Sequence, residues 1–230
     1  MIPKIIHYCW FGGNPLPSKV KEFIDTWKRN CPDYEIKEWN ESNFDIHTLT
    51  YTKEAYEHKK YAFVSDVARL YALVNEGGIY MDTDVEVIKP LDSLLQEQAI
   101  LGFEGTQYIA TSFMGAEPQH PFFVDFLNSY NTRVFLKEDQ TLDQTTNVEV
   151  LTQLLNKTGE LKRTGEEQTI NGIHLYPTEY FSPYDYITGR LRKTKNTYSI
   201  HWFDKSWTRQ NKLKTIFTQI YHRFIGSKMK

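Results

Sequence analysis

The 230-residue sequence predicts an α/β fold, one domain built on a mostly parallel central sheet. Three observations predict it. Strand-like segments alternate with segments of helical apolar spacing along the chain, and no repeat, low-complexity linker or domain break interrupts them. The apolar run from Ile2 ends at the aromatic pair Trp10-Phe11 and the double glycine Gly12-Gly13, as suits a buried first strand followed by a turn. The segment Gly77-Gly78-Ile79-Tyr80-Met81-Asp82-Thr83-Asp84-Val85 reads as a strand that follows a helix and ends by presenting two carboxylates. In open α/β sheets, ligands collect at such strand ends.

Each element can be justified in order. Val20, Phe23, Ile24 and Trp27 recur at helical spacing, predicting a helix over 18–30, and 34–39 then alternates as a strand. A helix is expected near 52–59 and another over 62–76, the second ended by Gly77 and Gly78. Ile79 to Met81 supply strand-forming bulk, and if that strand continues, alternation puts Asp82 and Asp84 on the same side. A strand at 99–103, helices at 122–130 and 147–155, and a polar loop between those helices follow. The polar, charged stretch 159–168 reads as a surface excursion before strands at 173–176 and 198–202.

Composition narrows the class. A hydrophobic content of 40% and a net charge of −2 fit a soluble globular protein large enough to bury a core without disulfides. Near-balanced charge gives no reason to expect a nucleic-acid partner. Cys9 and Cys31 match neither a disulfide framework nor a zinc site, so reduced thiols in a cytoplasmic setting are expected. The first residues lack the pattern of a signal peptide, and no apolar run is long enough to span a bilayer. Aromatic residues make up 15%, which serves sugar and base stacking as well as core packing.

The chemistry begins with the paired carboxylates. Asp82 and Asp84 repel unless a cation sits between them, and hard oxygen ligands suit Mg2+ or Mn2+, which keep positions open for phosphate oxygens. Asp66 and Arg69, three apart near a helix start, share a face and can form an ion pair. His7 and Tyr80 are expected to be buried within the packing.

The ordered combination Ile-His-x-x-Trp at 6–10, Ser-Asp-x-x-Arg at 65–69 and Gly-Gly-Ile-Tyr-x-Asp-x-Asp at 77–84 resembles bacterial members of glycosyltransferase family 32. It is more distantly similar to the catalytic domain of the large clostridial glucosylating toxins. The resemblance runs from Ile2 to about Trp207 and implies a single-domain GT-A nucleotide-sugar fold over 1–207. It implies a metal-dependent, retaining transferase that moves a hexose from a nucleotide-diphosphate sugar, a UDP-sugar foremost, to a glycan acceptor in capsular or other cell-surface polysaccharide synthesis. By the same resemblance Asp84 ligates Mn2+ or Mg2+, while Asp82 supports it through ribose, sugar or metal-bound water. Asp66 receives sugar hydroxyls, Arg69 reaches sugar or phosphate, and Trp10 stacks on the base.

Two carboxylates leave the coordination sphere incomplete, and the late segment 199–207 resembles the family's closing motif. His201 is the first choice as third ligand, with Ser206 and Trp207 toward phosphate, and Ser206 is the alternative ligand. Thr111 to Ala116 with His120-Pro121-Phe122 resembles the acceptor side, where no protein nucleophile is required. Asn147 departs from the Gly-Pro frequent in the mannosyltransferase branch, which argues against importing that branch's sugar specificity. The alternatives are a non-catalytic nucleotide-sugar or glycan-binding protein on the same fold, or a toxin-like protein glucosyltransferase.

At the end of the chain Leu213, Ile216, Phe217, Ile220, Tyr221, Phe224 and Ile225 fall at helical spacing, basic residues lie elsewhere, and no acid follows Asp204. This predicts a basic amphipathic helix over 208–230 that either lies on an anionic membrane or packs against protein. Peripheral contact at the inner face of the plasma membrane would suit a lipid-linked acceptor.

Overall fold

The structure, a computed structural model, describes residues 1–105, 107–157 and 161–204. The predicted amphipathic helix at 208–230, with Ser206 and Trp207, lies outside the described residues. The chain enters through β1 (Ile5–Cys9), α1 (Ser18–Asn30) and β2 (Glu35–Trp39), followed by α2 (Thr50–Glu57) and α3 (Tyr61–Glu76). β3 (Gly78–Met81), β4 (Val85–Val87), β5 (Ala99–Glu104), β6 (Tyr108–Ile109) and β7 (Phe113–Ala116) come next. After α4 (Pro121–Asn128) and α5 (Asn147–Lys157) come β8 (Gln168–Ile170), β9 (Ile173–Tyr176) and α6 (Thr178–Phe181). The short strands β10 (Tyr184–Asp185), β11 (Arg190–Leu191) and β12 (Ser199–His201) close the described chain.

The main sheet has the order β2-β1-β3-β7-β5-β9-β8, with β6 attached to β5. β1 is parallel to both β2 and β3, and β5 is parallel to β9. β7 runs against both β3 and β5, and β8 runs against β9. Strands β1, β2, β3, β5 and β9 therefore point the same way and raise their carboxyl ends at one edge. The expected mostly parallel α/β sheet is present, with β7 as an antiparallel wedge at its centre.

Side-chain alternation divides the core between the two sheet faces. In β3, Ile79 and Met81 join a cluster with Ile6, Val20 and Trp27, while Tyr80 joins the opposite cluster with Leu70, Leu101 and Met114. α3 buries Val64, Val67, Ala68, Leu70 and Leu73 to 1% exposure or less, which locks the helix preceding the site against the sheet. Each fully buried Val or Leu side chain contributes about 1.5–3 kcal/mol relative to exposure. None of the described helices is long and apolar enough to cross a membrane.

α3 stops at Gly77, whose φ of 66° is left-handed and whose N–H bonds to the Leu73 carbonyl at 3.0 Å. His7 holds the same turn from β1. Its Nδ1 accepts from the Trp39 indole at 3.0 Å, so Nε2 carries the proton and donates to the Gly77 carbonyl at 2.7 Å. Burial pushes this imidazole below its ordinary pKa, in keeping with a neutral ring. His7 and Tyr80 are both buried, as the sequence predicted.

One expectation needs correction. β3 ends at Met81, and Asp82 to Asp84 form a turn, so strand alternation does not set their relation. The break arises because the Asp82 N–H bonds to the Ser112 carbonyl at 2.9 Å and the Val85 N–H then returns to the Asp82 carbonyl at 3.1 Å.

Gly78 has φ of 95°, and a Cβ there would sit 2.6 Å from the Ile5 carbonyl oxygen and 3.1 Å from His7 Nε2. Gly78→Ala should therefore lower stability by at least about 2 kcal/mol. Urea unfolding measures it, and an unchanged midpoint would contradict the described turn.

Candidate active site

The site begins where β3 runs out at the carboxyl edge of the sheet. The tight turn from Asp82 to Val85 brings Asp84 round beside it. β4 then pairs antiparallel with β12, placing Ser199 opposite Val87, Ile200 opposite Glu86 and His201 opposite Val85. The Trp202 N–H extends the ladder to the Asp84 carbonyl at 3.1 Å. This long-range pairing puts His201 Nε2 3.4 Å from Asp84 Oδ1. Ligand atoms of Asp82, Asp84 and His201 all lie within 4.8 Å of one another.

Two carboxylates and an imidazole at that separation fit Mn2+ or Mg2+, which accept oxygen with some nitrogen ligation. The side chains of Asp82 and Asp84 remain 29% and 15% exposed, leaving the approach from outside open to further ligands. Burial opposes charging of His201, yet Asp84, with Asp82 and Glu104, raises the imidazole pKa above its ordinary value. His201 Nδ1 is buried without a hydrogen-bond partner among the described residues. The negative charge that draws a proton to this ring is the charge a divalent cation would neutralise.

Arg69 joins this cluster to α3. Its Nη2 lies 3.2 Å from Asp66 Oδ1 and its Nη1 3.3 Å from Asp82 Oδ1. Nη1 also donates to the Thr111 carbonyl at 2.9 Å, and Nε donates to the Ser65 carbonyl at 3.1 Å. The guanidinium stands 4.5 Å over the Tyr80 ring, whose hydroxyl donates to Asp82 Oδ1 at 2.8 Å. Asp82 is thus gripped by a cation and a phenol. Burial pushes the Asp66 carboxyl up to about 6, with Arg69 pulling against that shift.

The structure brings Asp66, Arg69, Asp82, Asp84 and His201 into one connected constellation, although they come from α3, the turn after β3 and β12. Trp10 stands at the same sheet edge, just past β1 and beside β3. Its indole is only partly buried and donates to the Asn14 carbonyl at 2.6 Å. Asn147, at the head of α5, approaches the Asp66 carbonyl at 3.5 Å while accepting the Tyr130 hydroxyl at 3.0 Å.

Sequence reasoning missed Glu104. Burial pushes its carboxyl pKa up, His201 pulls it down, and Asp82 and Asp84 push it up again, so it belongs to the same electrostatic neighbourhood. The available signal was an acid closing an apolar strand directly before a glycine. The anchoring of Asp82 by Tyr80 and the Ser112 carbonyl left no comparable signal, because the first looks like packing and the second is backbone.

Residues 17–101 match a family model described as a glycosyltransferase sugar-binding region containing a DXD motif, and that stretch holds Asp66, Arg69, Asp82 and Asp84. The chain is 28% identical over 152 residues to inositol phosphoceramide mannosyltransferase 1 of Schizosaccharomyces pombe, covering 59% of this chain and 46% of that protein. It is 26% identical over 241 aligned positions to an uncharacterized glycosyltransferase of Acanthamoeba polyphaga mimivirus, covering 94% and 88% respectively. The chain spans less than half the length of the yeast mannosyltransferases it matches. Among solved structures, the PaToxG glycosyltransferase superposes with a TM-score of 0.51 at 19% identity, over 68% of this chain and 70% of that one. The resemblance to DXD glycosyltransferases and the GT-A fold class expected from the sequence both hold.

Arg69→Met would leave Asp66 buried without its cation, and should cost about 3–5 kcal/mol. Adding Asp66→Asn removes the stranded charge, so the double variant should be more stable than Arg69→Met alone. Urea titration of the two variants decides it, and a double variant less stable than Arg69→Met would contradict the shared-cation account.

Proposed function

We propose that this chain, which resembles the DXD-containing glycosyltransferases, is a metal-dependent transferase moving a hexose from a nucleotide-diphosphate sugar to a glycan or lipid-linked glycan acceptor. A UDP-sugar is the first donor to test. The observation that carries this reading is the convergence of Asp82, Asp84 and His201 within chelating distance, tied through Arg69 to Asp66 at the carboxyl edge of the sheet.

In this reading Asp84 and His201 hold the cation, with Asp82 completing the site directly or through water. Bound there, Mn2+ or Mg2+ would supply Lewis-acid neutralisation of the charge developing on the diphosphate. Arg69 serves chiefly to position, because four of its contacts are made inward to Asp66, Asp82 and two carbonyls, while its remaining N–H is the one free to reach sugar or phosphate. It fixes the carboxylates that would receive sugar or ribose hydroxyls. Trp10 offers the exposed part of its indole for base stacking, and Ser206 and Trp207 remain proposed phosphate contacts. Retention of anomeric configuration would follow a front-face displacement in which the departing phosphate accepts the acceptor proton, so no side-chain nucleophile is required.

The acceptor is proposed to be borne by lipid at the cytoplasmic face of the membrane, in cell-surface polysaccharide synthesis. A yeast relative named for an inositol phosphoceramide acceptor supports lipid presentation, as does the basic, apolar sequence of 208–230.

Asp84→Asn keeps the side-chain shape and removes a ligand charge. It should lower Mn2+-dependent donor hydrolysis or transfer by at least about 100-fold. Thermal shift across a panel of nucleotide sugars should identify the donor, and the Mn2+-dependent part of its stabilisation should vanish in the variant. Turnover near that of the parent protein would overturn the metal assignment.

A further inference from the structure

The hairpin of β10 and β11 differs in character from the polar site beside it. Tyr184 pairs with Leu191 and Asp185 with Arg190. Its turn is fixed internally: Asp185 Oδ1 accepts the Ile187 N–H at 2.9 Å and the Thr188 N–H at 3.2 Å, while Oδ2 accepts the Thr188 hydroxyl at 2.6 Å. Gly189, with φ of 67°, closes the turn by donating to the Asp185 carbonyl at 2.7 Å. The one acid of the hairpin is thereby engaged by its own turn.

What this rigid turn presents outward is apolar. Tyr186 is 44% exposed, Ile187 48% and Leu191 43%. Turn tips ordinarily carry polar residues, and an isoleucine held in solvent there lowers no internal energy of the fold. Directly behind the tip, Arg190, Arg192, Lys193 and Lys195 are all exposed.

We infer that this hairpin is an interfacial docking element whose partner is an anionic lipid bilayer. An apolar tip followed by a basic base matches the order met on entering a bilayer, where acyl chains lie beneath phosphate headgroups. A nucleic acid would use the cations but leave Ile187 and Leu191 in water. A polar glycan would do the same. The charge of the chain beyond the hairpin has the same sign, since no acid follows Asp204.

The hairpin is also mechanically joined to the site. The Tyr186 ring packs 4.7 Å from Phe203, whose ring lies 3.8 Å from His201. Tyr184 packs 5.2 Å from Trp202, the residue whose N–H bonds to Asp84. A bilayer engaged by this tip would therefore lie within two or three side chains of Asp84 and His201. The docking inference stands on the hairpin alone and does not require the proposed transfer chemistry.

The test uses the full chain carrying Ile187→Cys. Cys9 and Cys31 are buried, so an environment-sensitive fluorophore can be directed to position 187. With vesicles of phosphatidylcholine containing phosphatidylglycerol the emission should shift to the blue, with phosphatidylcholine alone it should not, and added salt should weaken the effect. Separately, Ile187→Ser combined with Leu191→Ser should reduce co-sedimentation with the anionic vesicles at least about tenfold while near-ultraviolet circular dichroism stays unchanged. Sedimentation without an emission shift would assign docking to another surface, such as the 205–230 segment, and overturn the inference. Failure to sediment, full retention of binding by the double variant, or an emission already blue before lipid is added would overturn it as well.

Discussion

A single guanidinium sets the terms for the sheet edge. Arg69 is 5% exposed, and around it stand a buried carboxylate from its own helix, a second from the turn after β3, and the carbonyl preceding β7. Removing such a cation from water is costly, and only several good acceptors compensate for it. Once compensated, it fixes the spacing between α3, β3 and β7 at the point where all three approach the site. Asp66 and Asp82 can approach one another because Arg69 lies between them, leaving the outward side of Asp82 for Asp84 and His201. The acidic turn is therefore the exposed end of a charge arrangement whose other end is buried in the helix.

Much of this was legible in the sequence where local rules govern. The spacing of Val20, Phe23, Ile24 and Trp27 gave α1 at its full extent, and the paired glycines correctly marked the passage from α3 to β3. Asp82, Asp84, Asp66 and Arg69 were identifiable from their motifs. Where non-local bonds govern, local rules fell short. The strand after Gly78 stops early because Asp82 turns its N–H to Ser112, a partner thirty residues away that no periodicity reveals. β4, β6, β8, β10 and β11 are two or three residues long, too short to establish a period, and exist through their partners. Glu104 was overlooked for a related reason: its significance comes from where β5 ends relative to β3, and β7 sets that relation.

His7 illustrates how an apparently incidental polar residue can be structural with full hydrogen-bond accounting. The Trp39 indole determines which of its nitrogens is protonated, and the Gly77 carbonyl receives that proton. β1, β2 and the end of α3 are thereby tied at the amino end of β3, the strand whose other end carries the acidic turn. A buried group with both nitrogens satisfied stabilises a geometry that an apolar residue of the same volume could fill but could not orient.

The two halves of the proposed metal site belong to different sheets. Asp82 follows a strand embedded between β1 and β7, whereas His201 arrives on a ribbon whose ladder comprises three residue pairs. That ribbon is no surface strip, since Ser199, Ile200 and His201 are all buried, as are Val85 and Val87 opposite them. Moving the imidazole would thus uncover Ile200 and break the Trp202 N–H bond to the Asp84 carbonyl. The two sheets are therefore riveted at this point, and neither can shift without straining the other.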